Sequence, residues 1–95
     1  MTADAAGLCI RSGNAVILRG SSYALRSNMA IAGAIRESLT AAGLPADGVQ
    51  LLEDTSRDGA KALMQATDWV DLLVPRGGPG LIAAVQADAT VPTVI

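Results

Sequence analysis

Apolar residues recur three and four apart at Leu25, Met29, Ala32, Ile35 and Leu39, a spacing that lines one face of a helix starting near Ser22. Ser21 or Ser22 is placed to cap its start. Gly43 followed by Pro45 predicts its end, since glycine accepts the left-handed conformation and proline cannot extend a helix. The stretches on either side have a different pattern. "NAVILR", Asn14 to Arg19, is a short apolar run that predicts a strand of a parallel sheet buried on both faces, and "GVQLLED", Gly48 to Asp54, predicts a second strand.

The alternation continues along the chain. Thr55 with Asp58 three residues on predicts a capping box for a helix carrying Ala60, Leu63, Met64 and Thr67 on one side. "DLLVP", from Asp71, predicts a third strand, "GLIAAVQADA" a short helix, and "VPTVI", from Val91, a fourth strand. Ahead of the first strand, "TADAAGLCIRSG" predicts a helix ending at Gly13. Helix and strand thus alternate, with the short connections usual in α/β units. The expected fold class is α/β: a Rossmann-like open parallel sheet with helices on both faces, with four strands present and incomplete at the C-terminus. The final apolar run has no helix after it to cover it, so the expectation is a fragment of a longer protein.

Composition narrows the picture. The 95 residues suffice for one domain, and with 51% apolar residues, 2% aromatic and no Phe, its core is expected to be built from Ala, Val, Ile and Leu. Seven basic and nine acidic residues give a net charge of −2 with no basic run, which speaks against nucleic acid as a partner. The apolar runs fall short of the roughly 20 residues that span a bilayer. The N-terminus has no basic stretch before an apolar one, so a cytoplasmic protein away from membranes is expected. A single cysteine and the absence of histidine leave no internal disulfide, no zinc-type ligand cluster and no imidazole base. No metal ligand is assigned.

Candidate chemistry concentrates at the strand exits, where open α/β sheets bind ligands against the free N–H groups of the following helices. After the first strand, "LRGSS" offers Arg19, Gly20 and Ser21, read either as a strand end with a helix cap or as a dinucleotide contact. There the arginine would suit the 2′-phosphate of NADP. After the second, Glu53 and Asp54 are read as capping the next helix rather than holding a ribose hydroxyl. After the third, "VPRGGPG" brings Arg76, Gly77, Gly78 and Gly80 together. Its glycines are free to take positive φ or to let an anion approach the backbone, Pro79 suits a first helical turn, and Arg76 adds a charged fork. The plain alternative is a tight turn with its arginine in solvent. The loop is not a P-loop, because the Lys-Ser/Thr pair is absent, and its spacing departs from G-x-G-x-x-G. Cys9, between Leu8 and Ile10, is read as a buried structural thiol. Tyr23, Trp69, Met29 and Met64 are read as packing residues.

"SGNAVILRGS", "AAGLPADGVQLL", "DLLVPRGGPGLIAAV" and "TVPTVI" resemble, in order and spacing, the cofactor-binding domain of the γ-glutamyl phosphate reductases, or glutamate-5-semialdehyde dehydrogenases. These belong to the aldehyde dehydrogenase superfamily. "VPRGGPGL", where a Phe-Thr-Gly-Ser type loop is usual, points to this branch. The resemblance runs from about Ala6 to Ile95 and implies that residues 1–95 are part of an NADP-binding domain, the catalytic domain being absent. It places Arg19, Gly20 and Ser21 at the adenosine ribose or its 2′-phosphate, and Arg76, Gly77, Gly78 and Gly80 toward the pyrophosphate and nicotinamide.

The reaction so implied is NADPH-dependent reduction of L-glutamyl 5-phosphate, a small-molecule substrate of the full-length protein, to L-glutamate 5-semialdehyde in proline biosynthesis. It runs through a cysteine thiolate that the family carries in a later segment, a position Cys9 does not match. No catalytic residue is therefore assigned, and the chain alone is expected to be inactive, with a homo-oligomeric parent left open. The alternative function is a non-catalytic α/β module that binds a partner through its exposed last strand.

Overall fold

The computed structural model describes residues 2–94, and the side chain of Thr2 lies outside that description. The chain divides into two compact units, Met1–Thr55 and Ser56–Ile95.

The first unit opens with helix α1 (Thr2–Arg11), which stops at the expected place: Gly13 takes φ +83°, and its N–H donates to Ile10 O. Strand β1 (Val16–Leu18) follows. A one-turn 3₁₀ helix, Ser22–Ala24, is capped by Ser21, whose side chain accepts from Ala24 N, and it leads into α2 (Leu25–Ala41). Gly43, at φ +78°, turns the chain out of α2, and its N–H donates to Thr40 O. Strand β2 (Val49–Leu51) then pairs with β1 in parallel, Val16 opposite Val49 and Leu18 opposite Leu51. Ala6, Leu39 and Val49 form the core, with Ile10, Val16, Leu18 and Ile35 packed against them. Ala32 is buried, as the helical stripe predicts, but Met29 on the same stripe is exposed.

In the second unit, α3 (Arg57–Met64) is capped by Ser56, whose hydroxyl accepts from Gly59 N. In place of the capping box expected from Thr55 and Asp58 stands a single N-cap one residue later, since Gly59 has no side chain to bond back. Helix α4 (Pro79–Asp88) places Pro79 in its first turn, where the missing N–H costs nothing. Ala60, Met64 and Val85 form this unit's core, against Leu73, Leu81 and Ala89. Met64 O accepts from both Thr90 N and Val91 N, which holds the chain end against α3.

The four-stranded, Rossmann-like sheet expected from the sequence is overturned. Among the described residues the only sheet is the two-stranded β1–β2 pair, and the third and fourth apolar runs meet at a single parallel bridge, Leu73 to Thr93. The bridge has both of its bonds, Leu73 N to Pro92 O at 2.8 Å and Val94 N to Leu73 O at 3.0 Å. It does not lengthen because proline supplies no N–H. In this register the neighbouring rungs need donors at residues 75 and 92, and both are proline. Ile95, the last residue of the expected fourth strand, lies outside the described residues.

Candidate functional site

The exit of β1 is built by the first unit alone. Arg19 directly follows the strand and is half-buried, its Nη2 donating to Thr55 O at 2.9 Å. The charged fork is thereby drawn back over the segment that leaves β2 and held at the strand exit. Gly20 comes next, and the space beside its α-carbon is taken by the Asn28 side chain. A Cβ there would collide with Asn28 Nδ2 and lie 3.4 Å from Asn28 Cγ. Ser21, exposed, uses its hydroxyl to cap the 3₁₀ turn. The three residues expected at this exit thus form one continuous turn into a helical segment.

The Arg76–Gly80 loop belongs to the second unit. Arg76 and the three glycines are exposed, and Gly78 is the N-cap of α4 with φ −76° and ψ 178°. Positive φ, one of the two uses expected of these glycines, is found at none of them; it occurs at Gly13 and Gly43. At Gly77 a Cβ would lie 2.6 Å from Leu81 Cδ2, so the space beside this glycine is taken by the chain's own side chain and not by an approaching anion. Gly78 and Gly80 would meet nothing within 4 Å, so an added side chain there would point into open space. The loop opens a ten-residue helix whose first N–H groups have no intrahelical acceptor, a setting that favours anions.

Other expectations fare unevenly. Cys9 is half-buried on α1. Glu53 and Asp54 are exposed in the segment after β2, and the cap of α3 is Ser56 rather than either of them. Tyr23 and Trp69 do not pack: the two residues are 101% and 85% exposed. Among the described residues no group of three or more His, Cys, Asp or Glu is placed to hold a metal ion, and no helix is long and apolar enough to cross a membrane.

Sequence reasoning passed over Arg36. From the middle of α2 its guanidinium reaches Ala46 O, Val49 O and Asp47 Oδ1. It also borders a shallow groove with Met29, Gly33, Gln50 and Glu53. Its signal was an arginine next to Ile35 of the apolar stripe, where a solvated face would begin one position later.

No family model matches the chain. The γ-glutamyl phosphate reductase of Heliobacterium modesticaldum is 54% identical to it over 94 residues, 99% of this chain and 22% of that protein. The crystal structure of the Thermotoga maritima γ-glutamyl phosphate reductase superposes with a TM-score of 0.93 at 41% identity, covering 97% of this chain and 22% of that one. In sequence and in fold, this chain matches one segment of γ-glutamyl phosphate reductase. The Saccharomyces cerevisiae γ-glutamyl phosphate reductase agrees at greater distance, with a TM-score of 0.77 and 29% identity over 97% of this chain. The reductase-like segment thus spans under a quarter of the length of the relatives it matches.

Proposed function

We propose that this chain is part of the cofactor-binding region of an oxidoreductase that reduces L-glutamyl 5-phosphate to L-glutamate 5-semialdehyde with NADPH, in proline biosynthesis. The observation that carries the reading is the 54% identity to a γ-glutamyl phosphate reductase over 99% of the chain. Bound NADPH supplies the hydride. The chain's own residues hold and orient it.

At the β1 exit, Arg19 is tethered through Nη2 to Thr55 O, which keeps a planar cation in place for the 2′-phosphate that distinguishes NADP from NAD. Gly20 follows Arg19 directly in the turn, and Ser21 caps the helical turn after it, which keeps the three residues together at the strand exit. In the second unit, the first turn of α4 with Gly77 and Gly78 before it suits an anionic pyrophosphate, and Arg76 adds positive charge. This assigns the chain contacts to the cofactor and not the reacting thiol.

Titration of the 95-residue chain with NADP⁺ and NAD⁺, followed by amide NMR, tests the reading. The expected result is that NADP⁺ moves the resonances of Arg19 to Ser21 and of Gly77 to Gly80. Arg19→Ala should weaken NADP⁺ by about tenfold, the loss of one charged hydrogen-bonding group, and abolish its preference over NAD⁺. Unmoved resonances at both loops, or an unchanged preference in Arg19→Ala, would overturn it.

A further inference from the structure

We propose that Asn28 is a positioning residue for the Arg19–Ser21 turn, setting its selectivity for a 2′-phosphorylated ribose without touching the ligand. The proposal rests on the cofactor reading above. Its observations are three. Gly20, at the centre of the turn, is the residue with the widest conformational range. The space a side chain at Gly20 would fill is taken by the Asn28 carboxamide, which a Cβ would meet at both Nδ2 and Cγ. Asn28 itself is half-buried in the first turn of α2, a helix anchored by buried Ala32 and Leu39 and by the Arg36 hydrogen bonds.

The turn is therefore held on two sides. Arg19 is tethered through its side chain to Thr55 O, and the Asn28 carboxamide occupies the space beside the Gly20 α-carbon. Without the second restraint a glycine-centred turn samples several conformations, of which the one presenting Arg19 and the Ser21 backbone to a phosphate is a fraction. Apparent affinity falls by that fraction. NAD⁺, which lacks the 2′-phosphate, is indifferent to the change.

The test is a double-mutant cycle of Gly20→Ala and Asn28→Ala in the 95-residue chain, with Arg19→Ala alongside, reading the NADP⁺ to NAD⁺ affinity ratio and the thermal midpoint. Asn28→Ala should lower the ratio about fivefold by freeing the turn, and Gly20→Ala by a similar factor by displacing the carboxamide. Together they should return the ratio to within about twofold of wild type, because the new Cβ fills the space the carboxamide left. A general loss of structure would lower both affinities and leave the ratio alone.

Additive losses in the double variant would overturn the proposal. So would an unchanged ratio in Asn28→Ala while Arg19→Ala lowers it, a result that leaves the cofactor reading standing. A wild-type chain with no preference for NADP⁺ overturns the cofactor reading and the selectivity claim with it. The thermal midpoints then still report whether Gly20 and Asn28 are coupled, which separates the two failures.

Discussion

Arg36 Nη1 donates to the carbonyl oxygen of Val49 at 2.6 Å, so a helical side chain satisfies the first residue of the neighbouring strand. The same nitrogen donates to Ala46 O at 3.1 Å, and Nη2 pairs with Asp47 Oδ1 at 3.0 Å. One guanidinium thus ties α2 to the turn that delivers β2. Val49, whose side chain is fully buried, is placed by that turn.

Removing the fork should cost more than removing the ion pair. Arg36→Met keeps the apolar stem and is expected to destabilise the chain by about 2–3 kcal/mol, since bonds from a charged donor to two carbonyls are lost. Asp47 is 82% exposed, so Asp47→Ala should cost about 0.5 kcal/mol or less, diminishing further in high salt. Urea denaturation of the two variants checks this, and equal losses would assign the clasp to the ion pair.

The cap of α3 offers a comparison between neighbouring residues. Ser56→Ala removes the hydroxyl that accepts from Gly59 N and is expected to cost about 1 kcal/mol. Thr55 serves through its main-chain carbonyl, which accepts from Arg19, so Thr55→Ala keeps that bond and should cost about half as much or less. Thermal unfolding of both variants decides between the two hydroxyls.

Two glycines in and after α2 should respond in opposite directions. Gly43 sits at φ +78°, where a side chain is strained, so Gly43→Ala is expected to destabilise by about 1 kcal/mol. Gly33 is inside the helix, and a Cβ there meets nothing within 4 Å; Gly33→Ala should stabilise by about 0.5–1 kcal/mol. Circular dichroism melts of the pair measure both signs.

Burial separates the two strands of the sheet. Val49 is 0% exposed, and Val49→Ala should cost about 2 kcal/mol through lost burial and a residual cavity. Ile17 on the partner strand is 42% exposed, and Ile17→Ala should cost about 1 kcal/mol despite deleting more atoms. Denaturant midpoints at matched m-values test the order.

The turn at Arg19 to Ser21 was legible because its residue types sit where an apolar run gives way to helical spacing. What held it was not legible: Thr55 is 36 residues away from Arg19 in sequence, and the carboxamide that fills the space beside Gly20 comes from a helix. At Arg76 to Gly80, Pro79 marked the first turn of α4 correctly. The use of Gly77 depended on where Leu81 turned its side chain, which spacing does not encode.

Local chemistry in the sequence determined where α1, α2 and α4 lie and marked their turns. Apolar residues three and four apart marked α2, a left-handed glycine follows both α1 and α2, and a proline stands in the first turn of α4, each acting within a few residues of its own position. Tertiary structure decided how many apolar runs become sheet. Pairing is a property of two segments at once, and Pro75 with Pro92 denies donors to both rungs beside the Leu73–Thr93 bridge only because that register brings them there. It also decided the exposure of Tyr23 and Trp69 and the reach of Arg36, because burial and hydrogen bonding depend on what folds up against a side chain, not on the side chain alone.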